Sequence, residues 1–127
     1  PLFMACQFAF IKTVRILISA KASVDLHADP STTPLIVSSY NGHTDVVRLL
    51  IAAKANVNLR DKSGDSALNL ACYSGHAEIA GMLVDADANY KNTDKAGVSA
   101  VAQATQRGHS HVVRVLTQRI RAKENGS

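Results

Sequence analysis

The feature that most constrains this chain is a pattern that returns every 33 residues without a gap. Its clearest copy is residues 33 to 58, TPLIVSSYNGHTDVVRLLIAAKANVN. A Thr-Pro pair opens a short apolar helix pattern, Gly42-His43 interrupts it, and a second apolar helix pattern follows. Pro34 aligns with Pro1, Ala67 and Ala100, and Leu35 with Leu2, Leu68 and Val101. Gly42-His43 aligns with Gly75-His76 and Gly108-His109, and with Ala9-Phe10 in the first copy. Leu50 aligns with Leu17, Leu83 and Leu116, and Val47 with Val14, Ala80 and Val113. A period held this strictly marks a repeat architecture. Each unit is a small motif that cannot bury its apolar face alone and must stack on its neighbours.

Within a unit the local signals are helical. Thr33 is placed to cap the first helix and Pro34 to occupy its first position, where a missing N–H costs nothing. Gly42 supplies a helix stop in the left-handed region. The following segment puts Val46, Val47, Leu49 and Leu50 on one face, with Arg48 opposite. The third copy repeats the design with Ser66 as cap, Gly75 as stop, and Ile79, Met82 and Leu83 facing the core. Asp61-Lys62-Ser63-Gly64 reads as a turn, because Asp bonds its own backbone and Gly takes positive φ. The turn recurs as Asp94-Lys95-Ala96-Gly97 and is degraded before the second copy, at Ala28-Asp29-Pro30-Ser31. In the fourth copy Gln103 takes the slot of Met4, Val37 and Leu70. That substitution is expected to give a polar outward face, as a C-terminal capping unit requires. Residues 121 to 127 are expected to fray as a tail.

The period and these residues resemble the ankyrin repeat, a β-turn plus two antiparallel helices about 33 residues long with a T-P-L-H-x-A signature. The signature stands here as Thr33-Pro34-Leu35-Ile36-Val37-Ser38, and more weakly as Ser66-Ala67-Leu68-Asn69-Leu70-Ala71. Three departures are visible. The signature His is replaced by Phe3, Ile36, Asn69 and Ala102, and Ala9 replaces the first inter-helix Gly. The Gly that usually closes the second helix is Lys21, Lys54 and Asp87. The resemblance implies an all-α solenoid of four repeats over residues 1 to 120, divided at about 1–32, 33–65, 66–98 and 99–120.

Bulk properties narrow the function. The chain has 127 residues, 46% of them hydrophobic, enough for one domain with a core. It holds no apolar run of 18 residues and no signal-peptide pattern, so no membrane span is expected. The net charge of +4 is local: Arg107, Arg114, Arg119, Arg121 and Lys123 against Glu124 account for all of it. The preceding residues balance, so no basic stripe follows the solenoid and no nucleic-acid partner is expected. Cys6 and Cys72 occupy one slot two periods apart, about 20 Å at ~10 Å per packed helix layer, too far for a disulfide. Buried reduced thiols imply an intracellular location, cytoplasmic or nuclear. The chain opens on Pro1, and its first repeat carries Phe3, Phe8, Phe10 and Ile11. Both features lead us to expect a fragment of a larger chain with another repeat upstream.

No catalytic, cofactor or metal constellation stands out, so enzymatic activity is not expected. His43, His76 and His109 form a ladder at the repeat spacing, but the Gly-His pair belongs to the repeat itself and reads as structural. Asn125-Gly126-Ser127 fits a glycosylation acceptor, which an intracellular domain would not use. The resemblance implies a protein or peptide partner on a concave face lined by the turns and first helices. Carried over by position, that face holds Phe8, Tyr40, Asn41, Lys62, Asp65, Tyr73, Ser74, Lys95 and Arg107. Tyr40 and Tyr73, stacked in register, are its anchor candidates, since aromatic residues are enriched among binding hot spots. An alternative is a regulatory domain that covers or positions a catalytic or channel domain of the same polypeptide. On the opposite face Arg15, Arg48 and Arg114 line up, with Gly81 breaking the row, and read as a solvated helix surface.

Overall fold

A computed structural model describes residues 33–91 and 99–125. They form α1 (Pro34–Asn41), α2 (Thr44–Ala52), α3 (Ala67–Ser74), α4 (Ala77–Asp85), α5 (Ala100–Gln106) and α6 (Ser110–Asn125). The helices pair as hairpins, α1 with α2, α3 with α4 and α5 with α6. First helices α1, α3 and α5 pack side by side in one layer, and α2, α4 and α6 form a second. The core lies between the layers, where Leu35, Leu50, Leu68, Leu83 and Leu116 are buried at equivalent slots. Full burial of each such side chain contributes roughly 1.5–3 kcal/mol. Leu49 and Met82, expected on the core face, are half-buried at its edge.

The caps explain where the first helices begin and end. Thr33 Oγ1 accepts from the Ile36 N–H at 3.2 Å, with Pro34 behind it. Ser99 Oγ accepts from Ala102 at 3.2 Å. At Ser66 the arrangement is reciprocal: Ser66 Oγ accepts from Asn69 N–H, and Asn69 Oδ1 accepts from Ser66 N–H, each at 3.3 Å. Asn69 thus turns the vacated signature-His slot into a capping box. Gly42 and Gly75 end α1 and α3 with φ of 80° and 84°. The second helices end differently. Lys54 and Asp87 hold the left-handed conformation, at φ 69° and 70°, that the family gives to Gly.

The turn before α3 forms as its sequence predicts. Asp61 Oδ1 accepts from the backbone of Ser63 and Asp65 at 2.9 and 3.0 Å, Gly64 takes φ 80°, and Arg60 bridges to Ser66. The corresponding turn at Asp94 to Gly97, the degraded turn at Ala28 to Ser31, and the whole first repeat lie outside the described residues.

Two expectations are corrected. Gln103 does not face outward: it is 7% exposed, and its Nε2 donates to Asp65 Oδ1 at 3.3 Å. It occupies the inward slot of Val37 and Leu70, and the half-buried Asp65 supplies the partner that makes a polar group tolerable there. The segment expected to fray from residue 121 instead continues α6 to Asn125. Cross-repeat contacts hold it. Arg119 pairs with Asp85, Lys123 with Asp87, and the Tyr90 hydroxyl donates to Glu124 Oε1 at 3.1 Å. Gly81 lets α6 come close, since a Cβ there would sit 3.2 Å from Val115 Cγ1 and 3.4 Å from Arg119 Cζ.

Candidate functional site

The first-helix layer ends in a row of corners built alike. At the ends of α1 and α3 a Tyr one residue from the helix end is followed, two residues on, by the left-handed Gly and then by His; at the end of α5, Gln106 stands in the Tyr slot. The His of the next repeat reaches back. His76 Nε2 donates to the Tyr40 carbonyl at 3.1 Å, and His109 Nε2 to the Tyr73 carbonyl at 3.0 Å. A carbonyl can only accept, so both imidazoles carry their proton on Nε2 at this contact. The rings lie against the preceding glycines: a Cβ on Gly42 would be 2.6 Å from His76 Cε1, and one on Gly75 3.0 Å from His109 Cε1. His76 and His109, two rungs of the histidine ladder, are therefore joints between repeats.

These joints hold the backbone that carries two surface aromatic rings. Tyr40 and Tyr73 are the large apolar side chains left exposed among the described residues, at 47% and 37%. Arg107 lies over the Tyr73 ring, its Cζ 4.1 Å from the centroid. Asn41 and Arg107 are exposed and Ser74 is half-buried. Five of the residues selected from sequence, Tyr40, Asn41, Tyr73, Ser74 and Arg107, thus share the row of first-helix ends.

The remaining described candidates fall elsewhere. Lys62 is exposed at the tip of the turn, and Asp65 is bound to Gln103. Both precede α3, whereas Tyr73 is near its far end, a separation of about 12 Å along eight residues. The turn and the tyrosines lie at opposite ends of the first helix. Phe8 and Lys95 lie outside the described residues. The Arg107–Tyr73 stack went unread in the sequence, although the period signals it: Arg107 is one repeat beyond Ser74, beside Tyr73 across the joint.

The outer layer offers less. Arg48 is engaged by Asp45 at 3.2 Å and Glu78 at 3.4 Å, and Arg114 is exposed. A shallow groove lined by Arg48, Ile51, Met82, Asp85 and Ala86 separates α2 from α4. Among the described residues no three His, Cys, Asp or Glu side chains cluster as metal ligands. Cys72 is fully buried, and burial pushes its thiol up to about 12. Tyr90 is also pushed up, first by desolvation and then by its bond to Glu124.

Stacked helical hairpins, joined by corners of the same geometry one repeat apart, define a helical repeat protein. Residues 2–94 match the family model for ankyrin repeats in three copies, and the chain belongs to that family. Members of the family are generally protein–protein interaction modules. No curated protein matches the chain. No helix among the described residues is long and apolar enough to cross a membrane.

Proposed function

We propose that this domain binds a partner protein or peptide on the face formed by its first helices, with Tyr40 and Tyr73 as anchors, and that it has no catalytic role of its own. The observation that carries the reading is the pair of tyrosines held exposed, one repeat apart, by identical hydrogen-bonded corners. A backbone already held in place has less ordering entropy to lose on binding, and aromatic side chains are enriched among the residues that dominate interface energetics. Cys72 stands as a free, buried thiol, which supports a reducing, intracellular setting, the cytoplasm in the first place.

Peptides selected from a random library on the wild-type domain provide the test. Replacing Tyr40 and Tyr73 together by Ala should weaken their binding by roughly 2 kcal/mol or more, read by fluorescence anisotropy. Arg48→Ala should change it little. The reverse ranking would move the site to the outer helices.

A further inference from the structure

The two tyrosine corners share a frame but not a cover. The Tyr73 ring carries the guanidinium of Arg107 from the following repeat. At Tyr40 the residue in that position, 33 residues before Arg107, is Ser74, whose side chain is too short to lie across a ring. Among the described residues no cation covers Tyr40, and it is the more exposed of the two, 47% against 37%. The backbone around both is the same: left-handed Gly after the helix, and the next repeat's His on the tyrosine carbonyl. The Tyr73 corner therefore shows what the Tyr40 corner can hold.

We propose that the Tyr40 ring seats a cationic side chain, arginine before lysine, carried by the protein or peptide partner. A planar guanidinium can lie flat on the ring and gain from its electron-rich face, which a compact ammonium does less well. Charge along the array favours this end. Residues 33–91 carry six acidic and five basic side chains, whereas residues 99–125 carry one acidic and five basic. A cation is repelled toward repeats two and three, away from Arg107 and α6. The proposal rests on the first-helix face being the binding face, and it adds which chemistry that face selects.

The probe is the tripeptide acetyl-Gly-Arg-Gly-amide, compared with its citrulline counterpart, which keeps the shape and loses the charge. The chain has three tyrosines and no tryptophan, so the ring signals of Tyr40, Tyr73 and Tyr90 can be assigned by single Phe variants. In NMR titrations the Tyr40 ring protons should move with the arginine peptide, and about two- to fivefold less with citrulline. Tyr73, already covered, should respond less than Tyr40. Ser74→Arg should abolish the Tyr40 response by filling the seat from within, and Arg107→Ala should make Tyr73 respond like Tyr40. Equal shifts with citrulline, a Tyr73 response as large as that of Tyr40 in the wild type, or no Tyr40 response would each overturn the proposal. Library peptides that depend on Tyr40 and Tyr73 while the tripeptide leaves Tyr40 unmoved would sink the cation seat and keep the binding face. Library peptides indifferent to both tyrosines would remove the face itself.

Discussion

Alanine at each of the three inter-helix glycines separates backbone strain from the joint between repeats. Gly42, Gly75 and Gly108 all adopt positive φ, 80°, 84° and 76°. Alanine in that region costs about 1–2 kcal/mol. The smaller conformational freedom of Ala in the unfolded chain returns about 0.4–1 kcal/mol of this. At Gly108 nothing else is disturbed, because no described atom lies within 4 Å of the new Cβ. Gly108→Ala should therefore cost about 1 kcal/mol or less. At Gly42 the Cβ would stand 2.6 Å from His76 Cε1 and 3.0 Å from both ring nitrogens. The imidazole must leave, and its bond to the Tyr40 carbonyl goes with it, a further ~0.5–1.5 kcal/mol before any lost packing. Gly42→Ala should cost about 2–3 kcal/mol in total. Gly75→Ala, with His109 atoms at 3.0 to 3.3 Å, should fall between the two. Urea denaturation followed by circular dichroism gives the three values. In a His76→Ala background the excess cost of Gly42→Ala should vanish. Equal costs at all three positions would refute the joint and leave only the backbone.

Three further outcomes are expected. Deleting residues 119–127 should cost about 1–3 kcal/mol, because it removes three exposed cross-repeat contacts and half-buried Ile120, whereas deleting 126–127 should leave the melting temperature unchanged. In a Cys6→Ser background Cys72 should resist a thiol reagent at neutral pH until the chain unfolds; stability should also fall as pH rises from the thiol's ordinary 9.0 toward about 12, since only the unfolded thiol ionises in that window, and Cys72→Ala should remove that part of the slope. Asp87→Gly in a Lys123→Ala background should gain about 1 kcal/mol by relieving left-handed strain and removing an anion from a helix C-terminus, while Lys54→Gly stays near neutral in urea denaturation; equal gains would discard the dipole contribution.

What could be read in the sequence was whatever the repeat enforces locally. The caps at Thr33, Ser66 and Ser99 and the stops at Gly42 and Gly75 depend on residues three to five apart, so the pattern of one unit suffices. The same holds for the left-handed Lys54 and Asp87, placed by their slot despite the wrong side chains. Features that depend on partners a full repeat away were harder to see. Gln103 looked like a surface residue because polarity alone does not tell a solvated amide from one that bonds Asp65, 38 residues earlier. Residues 121–125 looked like a tail because α6 owes its last turns to Asp85, Asp87 and Tyr90, 34 to 36 residues upstream.

A periodic chain carries its functional information in the slots where it breaks its own period. The His–carbonyl bond occurs at both tyrosine corners, so it can only be scaffold; a partner cannot tell one repeat from another by something they share. The slot of Asn41, Ser74 and Arg107 differs in all three copies, although its neighbours Tyr40 and Tyr73 are the same residue in the same frame. One corner therefore comes with its cation built in, and the other must take one from outside or leave its ring to water. On the proposed binding face that difference would set a direction: a partner whose cation sits on Tyr40 in one orientation would meet Arg107 when reversed. An Arg107→Ser, Ser74→Arg double variant would turn the face around without touching a single joint.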